Sequence, residues 1–138
     1  MQCEIVYSVT RLPEQDQVIR LYREAGWITD SMQTDFVLPM LKNSHTIATA
    51  YDGGKLVGMM RALSDGVSDA YLLDLVVDST YRKAGIGKKI LDTLTGYMAG
   101  LGIDWIVCIG APGTEAFYKK TNAENMTDYV PYRFPVSK

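Results

Sequence analysis

Histidine and cysteine are scarce in this sequence, and their scarcity removes several kinds of chemistry. The 138 residues include one histidine and two cysteines. A zinc site draws its ligands mainly from cysteine and histidine, and the chain has neither a C-x-x-C pair nor a second histidine. We therefore expect no metal site. A catalytic triad would have to use His45, which lies in an ordinary strand context. Cys3 and Cys108 lie in apolar, strand-like runs and are predicted to be buried, reduced thiols.

The sequence also lacks long apolar runs and a strong excess of either charge. The formal net charge of −2 gives no reason to expect nucleic acid as a major partner. No apolar run approaches the roughly 20 residues that a membrane span needs, so no membrane partner is expected. The amino terminus lacks the layout of a signal peptide, which predicts a cytoplasmic protein. The length predicts one domain over residues 1–138.

One stretch combines a strand, a short turn and a helix. Residues 71–78 are mostly apolar, with two adjacent valines, which favours a strand. Residues 79–81 are polar or aromatic and predict a turn. An amphipathic helix follows, because the apolar residues recur on one helical face. They are Ile86, Ile90, Leu91, Leu94, Tyr97, Met98 and Leu101.

The joint between this strand and this helix has the features of an anion site. Gly85 and Gly87 would let a ligand approach the backbone closely. The first turn of a helix offers unpaired N–H groups and the positive end of the helix dipole. Four basic residues surround the joint: Arg82, Lys83, Lys88 and Lys89. The stretch therefore predicts a site for a phosphorylated cofactor, although the glycines alone would also suit a plain tight turn.

Three phosphate-loop patterns can be compared with this joint. A Walker loop fails, because Lys89 replaces the required Ser or Thr and Arg82 replaces the first glycine. A dinucleotide fingerprint starts at Gly85, but Ile90 occupies the position of its third glycine. The pattern [RQ]-x-x-G-x-[GA] matches residues 82–87 completely.

With the preceding strand and turn, this hexapeptide resembles the signature of the GNAT-type N-acetyltransferases. The resemblance implies acetyl-CoA as co-substrate, with its pyrophosphate on the loop and its pantetheine arm along the strand. It also implies that the N–H of Val76 or Val77 donates to the thioester carbonyl oxygen. The implied cofactor-binding residues are Leu75, Val76, Val77, Arg82, Lys83, Ala84, Gly85, Ile86, Gly87 and Lys88.

The same resemblance implies a GNAT-like α/β fold. We expect a central mixed sheet of about six to seven strands, flanked by about four helices and opening between the fourth and fifth strands. From the residues, the glycines at 53 and 54 predict a hairpin. Residues 32–42 predict a short helix kinked or broken at Pro39. Residues 126–134 are expected to supply one or two last strands.

The catalytic and acceptor residues are less clearly marked. The Phe117-Tyr118 pair resembles a family segment whose tyrosine often serves as general acid, which would assign protonation of the CoA thiolate to Tyr118. Asp74 is the only carboxylate within the apolar part of the central strand, and it is either a general base or a structural hydrogen-bond acceptor. Trp27, Asp30 and Phe36 are candidates for the acceptor wall; alternatively the aromatics are core residues and the acid is a surface residue.

The favoured interpretation is an acetyl-CoA-dependent N-acetyltransferase. It would transfer the acetyl group directly to the primary amine of a small molecule within a ternary complex. Two alternatives stay open. One is a CoA-binding sensor or interaction module with little catalysis, and the other is an acetyltransferase for protein N-termini or lysine side chains. The sequence also leaves the choice between monomer and homodimer open.

Overall fold

The computed structural model describes residues 4–137, and the chain divides into two compact units, Met1–Cys108 and Ile109–Lys138. The single domain predicted from the length stays a prediction. Cys3 lies outside the described residues, so the burial predicted for it is untested. Cys108 is a free thiol and is partly buried.

The first unit is built on a mixed sheet of five strands in the order β1-β2-β3-β4-β5. Strands β1 to β4 are antiparallel neighbours, whereas β5 runs parallel to β4. The bounds are β1 Ile5–Ser8, β2 Thr46–Asp52, β3 Lys55–Ser64, β4 Asp69–Val77 and β5 Trp105–Cys108. This arrangement confirms the predicted fold class, and the turn between β2 and β3 confirms the hairpin at residues 53 and 54.

Helices flank the sheet and bury their apolar stripes. The helices of the first unit are α1 Gln15–Glu24, α2 Val37–Asn43 and α3 Ile86–Gly100, with a 3₁₀ turn over Ser79–Tyr81. Helix α3 buries Ile90, Leu94 and Met98 completely. In the part of the chain that the structure describes, no helix is long and apolar enough to cross a membrane.

The helix predicted over residues 32–42 was placed too early. Helix α2 begins at Val37, so Pro39 is its third residue and lies in the first turn. An N–H in the first turn has no carbonyl partner within the helix, so its absence from proline costs nothing there. Pro39 therefore neither kinks nor breaks α2.

The sheet opens between its fourth and fifth strands, as predicted. Strand β5 pairs only with Asp69–Leu72, the first four residues of β4. Residues 73–77 of β4 continue past the end of β5, so on that side this half of β4 has no sheet partner among residues 4–137. The result is an open strand edge that ends at the loop before α3.

The second unit contains α4, Glu115–Lys119, and no strand among its described residues 109–137. The expectation of strands over residues 126–134 is therefore wrong, and within residues 4–137 the sheet has five strands rather than six or seven. Pro131 and Pro135 have no N–H to donate to a sheet ladder. The large side chains of this segment, including Tyr132 and Phe134, are exposed.

Candidate functional site

The loop before α3 has a backbone shaped for close approach. Two of its residues are left-handed, Lys83 with φ 66° and Gly85 with φ 79°. Gly85 is the N-cap residue of α3. The first backbone hydrogen bond of the helix runs from the Lys89 N–H to the Gly85 carbonyl at 3.1 Å. The N–H groups that precede it in the first turn therefore have no carbonyl partner in the helix. A side chain added at Gly85 would meet no atom within 4 Å, so the space beside this turn is open.

Asp78 anchors the chain between β4 and this loop. It is 3% exposed, and its Oδ1 accepts hydrogen bonds from the Thr80 N–H at 2.9 Å and the Thr80 hydroxyl at 2.7 Å. Its Oδ2 lies 2.8 Å from Arg20 Nη1 and 3.5 Å from Lys55 Nζ. Burial opposes the charge, but the hydrogen bonds from Thr80 and Arg20 and the charge of Lys55 outweigh it and lower the pKa of Asp78 to about 2.

Replacing this aspartate should destabilise the protein and change its response to acid. The folded pKa is below the value of about 3.9 for an unfolded aspartate, so ionised Asp78 stabilises the fold above that pH and loses this contribution as the pH falls toward 2. We expect Asp78→Asn to lower the free energy of unfolding by about 1–3 kcal/mol at pH 7. Urea titrations at pH 7 and pH 3 measure both effects, and an equal loss at both pH values would contradict the assignment.

The basic residues around the loop are not equivalent. Arg82 Nε donates to the Val77 carbonyl at 3.3 Å, and its Nη2 lies 4.0 Å from Glu24 at the end of α1. Glu24 in turn accepts from the Ser79 N–H at 2.6 Å. Lys88 forms a 2.7 Å ion pair with Asp92, one turn further along α3. Arg82 and Glu24 thus tie the turn to β4 and α1, while part of the Lys88 charge is neutralised within the helix.

A bulge interrupts β4 at Asp74. Arg61 of β3 lies opposite Leu73 and Met59 lies opposite Val76, so Asp74 and Leu75 together face the single residue between them on β3. Asp74 has φ 61°, a left-handed conformation that few residues other than glycine adopt. The candidate base therefore lies at the most unusual backbone position of the central strand.

The carboxylate of Asp74 is held from two sides. Its Oδ2 accepts from Arg61 Nε at 2.7 Å and from the Tyr22 hydroxyl at 2.9 Å. The side chains of Arg61 and Asp74 are 12% and 24% exposed. Burial, with the nearby Asp74 charge, raises the pKa of Tyr22 above its ordinary value, so this hydroxyl stays a donor. Asp74 therefore accepts hydrogen bonds from α1 and β3, and its role in the site stays a prediction.

The three candidate acceptor residues all lie in or beside the connection between α1 and α2, and all are exposed. Trp27 is connected to the bulge, because its ring packs edge-on against Tyr22 with centroids 5.0 Å apart. Asp30 and Phe36 have no such connection among the described residues. A cavity of about 430 Å³ lies on α1 and the following loop, but it is lined by other residues: Asp16, Ile19, Arg20, Arg23 and Thr34.

Tyr118 lies in α4 of the second unit. Its N–H donates to the Thr114 carbonyl at 3.1 Å, and its ring packs edge-on against Phe117 with centroids 5.0 Å apart. The ring also borders Gly110, where an added Cβ would lie 3.5 Å from Tyr118 Cε2. The ring is therefore fixed by local packing within that unit.

Comparison with known proteins identifies the family. The model of the acetyltransferase (GNAT) family matches residues 17–122. The chain belongs to the GNAT acetyltransferase family. An uncharacterised N-acetyltransferase from Pyropia yezoensis is 30% identical over 105 residues, which are 73% of this chain and 59% of that protein. The chain thus spans about three fifths of the length of this relative.

Solved GNAT structures share the fold. A probable acetyltransferase of unknown function from meticillin-resistant Staphylococcus aureus superposes with a TM-score of 0.81 at 18% identity, over 96% of this chain and 100% of that one. An aminoglycoside acetyltransferase from an uncultured soil metagenomic sample, in complex with trehalose, gives a TM-score of 0.73 at 22% identity, over 97% and 96% of the two chains. At these identities the likeness shows the fold alone.

Two residues of the site were missed by sequence reasoning. They are Tyr22 of α1 and Arg61 of β3, and no sequence motif marks either of them. The available signal was the charge of Arg61 inside the apolar run of residues 56–63. A charged side chain in such a strand needs a partner, and Asp74 is the one carboxylate of the neighbouring strand's apolar part.

Proposed function

We propose that this GNAT protein transfers the acetyl group of acetyl-CoA to a primary amine on a small molecule, directly within a ternary complex. One observation carries the proposal. The turn with left-handed residues at Lys83 and Gly85 lies directly after the free edge of β4, and α3 begins at this turn. An anion site at the end of an open strand edge suits a ligand with a pyrophosphate and an amide-bearing arm.

The direction of the β4 backbone decides which residues would pair with the pantetheine arm. The Asp78 N–H donates to the Val57 carbonyl of β3 at 2.7 Å. Because backbone groups alternate along a strand, Val76 also faces β3, while Leu75 and Val77 face the open edge. Of the two N–H groups predicted for the thioester oxygen, this alternation favours that of Val77. The loop N–H groups and Arg82 would hold the phosphates.

The bound co-substrate would supply an acetyl thioester with a thiolate leaving group. The Val77 N–H would stabilise charge on the carbonyl oxygen, and the Tyr118 hydroxyl would donate its proton to the departing sulfur. A thiol has a pKa of about 8.5 and a tyrosine about 10, so a neutral tyrosine is a suitable donor at neutral pH. In this proposal the amine loses its proton to water, and a backbone carbonyl could orient it by accepting a hydrogen bond. Asp74 is left out of this step, because its Oδ2 already accepts hydrogen bonds from Arg61 and Tyr22.

A small-molecule acceptor is our choice, and the name of one similar structure supports it. The aminoglycoside acetyltransferase among the similar structures is named for a small polyamine class, and its likeness extends over 97% of this chain. The exposed Trp27 and Asp30 beside α1 would supply an aromatic surface and a negative charge for a cationic amine.

The test is thiol release from acetyl-CoA with a panel of amines, alcohols and carboxylic acids, with products identified by mass. We expect release with primary amines and an acetyl mass shift on the amine. Preferred acetylation of an alcohol would overturn the proposal. Peptides with a free N-terminus or a lysine belong in the panel, because exclusive acetylation of those would favour the protein-acetyltransferase alternative.

A CoA-binding module with little catalysis is the second candidate. It is favoured by the engagement of Asp74 with Arg61 and Tyr22, which makes a carboxylate base less available on the central strand. Calorimetry with CoA, combined with turnover in the acceptor panel, separates the two candidates. Tight CoA binding without turnover of any acceptor in the panel would support the module, whereas turnover would exclude it.

A further inference from the structure

We infer that Asp74, Arg61 and Tyr22 are positioning residues, which hold the β4 bulge and thereby turn the backbone N–H groups of Leu75 and Val77 toward the open edge. This inference rests on the proposed function and assigns the residues that prepare its strand edge. Asp74 then acts through the backbone and is not the general base.

The first step is the effect of the bulge on strand direction. One extra residue in β4 shifts every later backbone group relative to β3. Without it, Val76 would face the open edge, and Leu75 and Val77 would pair with β3. The contact between the Asp78 N–H and the Val57 carbonyl fixes the observed alternation at the far end of this segment. The bulge therefore decides which N–H groups of β4 point to the open edge, in the part of the strand that continues past the end of β5.

The second step is the cost of the bulge and what offsets it. A left-handed φ of 61° is unfavourable for a residue with a side chain, although aspartate tolerates it better than most. The hydrogen bonds from Arg61 and Tyr22 to the Asp74 carboxylate hold that residue in place. Arg61 Nη1 also reaches the Ser44 hydroxyl at 3.4 Å, and this hydroxyl donates to the Met40 carbonyl of α2 at 2.9 Å. The bulge is thus braced against α1, α2 and β3.

Three substitutions at position 74 separate positioning from base catalysis. Asp74→Asn keeps a side-chain oxygen acceptor and tolerates the left-handed backbone, but it cannot act as a carboxylate base. Asp74→Gly removes the acceptor while accepting φ 61° without strain, and Asp74→Ala removes the acceptor and adds strain. We expect CoA affinity and kcat within about twofold of the parent for Asn, intermediate values for Gly, and about three- to tenfold losses for Ala.

The pH profile of kcat/KM should be the same for the parent and Asp74→Asn. Losses of about 10²–10⁴-fold in all three variants, with a changed acidic limb for Asn, would assign the base role to Asp74 and overturn the inference. Parent-like CoA affinity and kcat in all three folded variants would also overturn it, since the residue would then only stabilise the fold.

Tyr22→Phe has a matched control in Tyr51→Phe. Both phenols are buried and donate to a carboxylate, Tyr22 to Asp74 at 2.9 Å and Tyr51 to Glu14 at 2.8 Å, but Tyr51 lies on β2. We expect both variants to lose stability and only Tyr22→Phe to lose CoA affinity. Equal CoA affinities in the two variants would contradict the positioning role.

Amide hydrogen exchange tests the bulge without any cofactor. We expect fast exchange at Leu75 and Val77 and slow exchange at Val76 in the parent, and loss of this contrast in Asp74→Ala. Protected Leu75 and Val77 amides in the parent would overturn the inference. A parent that shows the expected exchange pattern but binds no CoA would overturn the proposed function alone.

Discussion

Replacing Tyr118 with phenylalanine is expected to lower the single-turnover rate of acetyl transfer by about 10²–10⁴-fold, the usual cost of losing general acid catalysis. The substitution keeps the ring, whose edge-on packing against Phe117 fixes it within α4. A proton given to the leaving thiolate acts mainly in the transition state, so the affinity for CoA should stay close to that of the parent. Rapid-quench kinetics and calorimetry measure the two quantities separately.

Single turnover is needed, because a slow product release in the parent would hide part of the loss in steady-state kcat. Tyr97→Phe is the matched control: Tyr97 is an exposed tyrosine on α3, and removing its hydroxyl should leave the rate unchanged. A Tyr118→Phe enzyme that keeps the full single-turnover rate would transfer the acid role to water and leave Tyr118 a packing residue.

Gly87→Asp is expected to weaken CoA binding at least tenfold, which corresponds to about 1.4 kcal/mol. Gly87 lies in the first turn of α3, where an aspartate would place a carboxylate among the N–H groups proposed for the phosphates. Two negative charges would then compete for one site. Folding should be preserved, because an acidic residue in the first turn is favoured by the helix dipole.

Gly96→Asp provides the control on the same helix. Gly96 lies in the interior of α3, and a side chain added there would meet no atom within 4 Å. The same change in charge and helix propensity should therefore leave CoA affinity unchanged. If both variants bind CoA equally well, the loop does not hold the phosphates; if both bind it equally weakly, the effect is one of net charge rather than of this site.

Local features of the sequence predicted the central part of the fold. The strand, turn and helix over residues 71–101 were readable because their signals are short-range: adjacent β-branched residues, two glycines at the joint, and apolar residues at helical spacing. The hairpin at residues 53 and 54 was readable for the same reason, since Gly53 supplies the positive φ of a tight turn. The same short stretch carried the family resemblance.

The sequence was misleading where the outcome depends on surroundings. Residues 126–134 are rich in apolar and aromatic side chains, as strands often are. However, Pro131 within this segment and Pro135 just after it lack an N–H donor, and among the described residues no neighbouring strand pairs with the segment. Pro39 reads as a helix breaker, but it does no harm in the first turn of α2. Where a helix begins decides the cost of its proline, and that depends on packing as well as on propensity.

The loop before α3, its glycines and the resemblance to the GNAT family could be recognised without a structure, because each depends on residues that are close along the chain. The contacts of Asp74, by contrast, became visible only once the strands were paired. Its partners Arg61 and Tyr22 lie 13 and 52 residues away, and the bulge that brings them together is a property of the register between β3 and β4. Register depends on how two whole strands align, so no pattern within one strand could predict it.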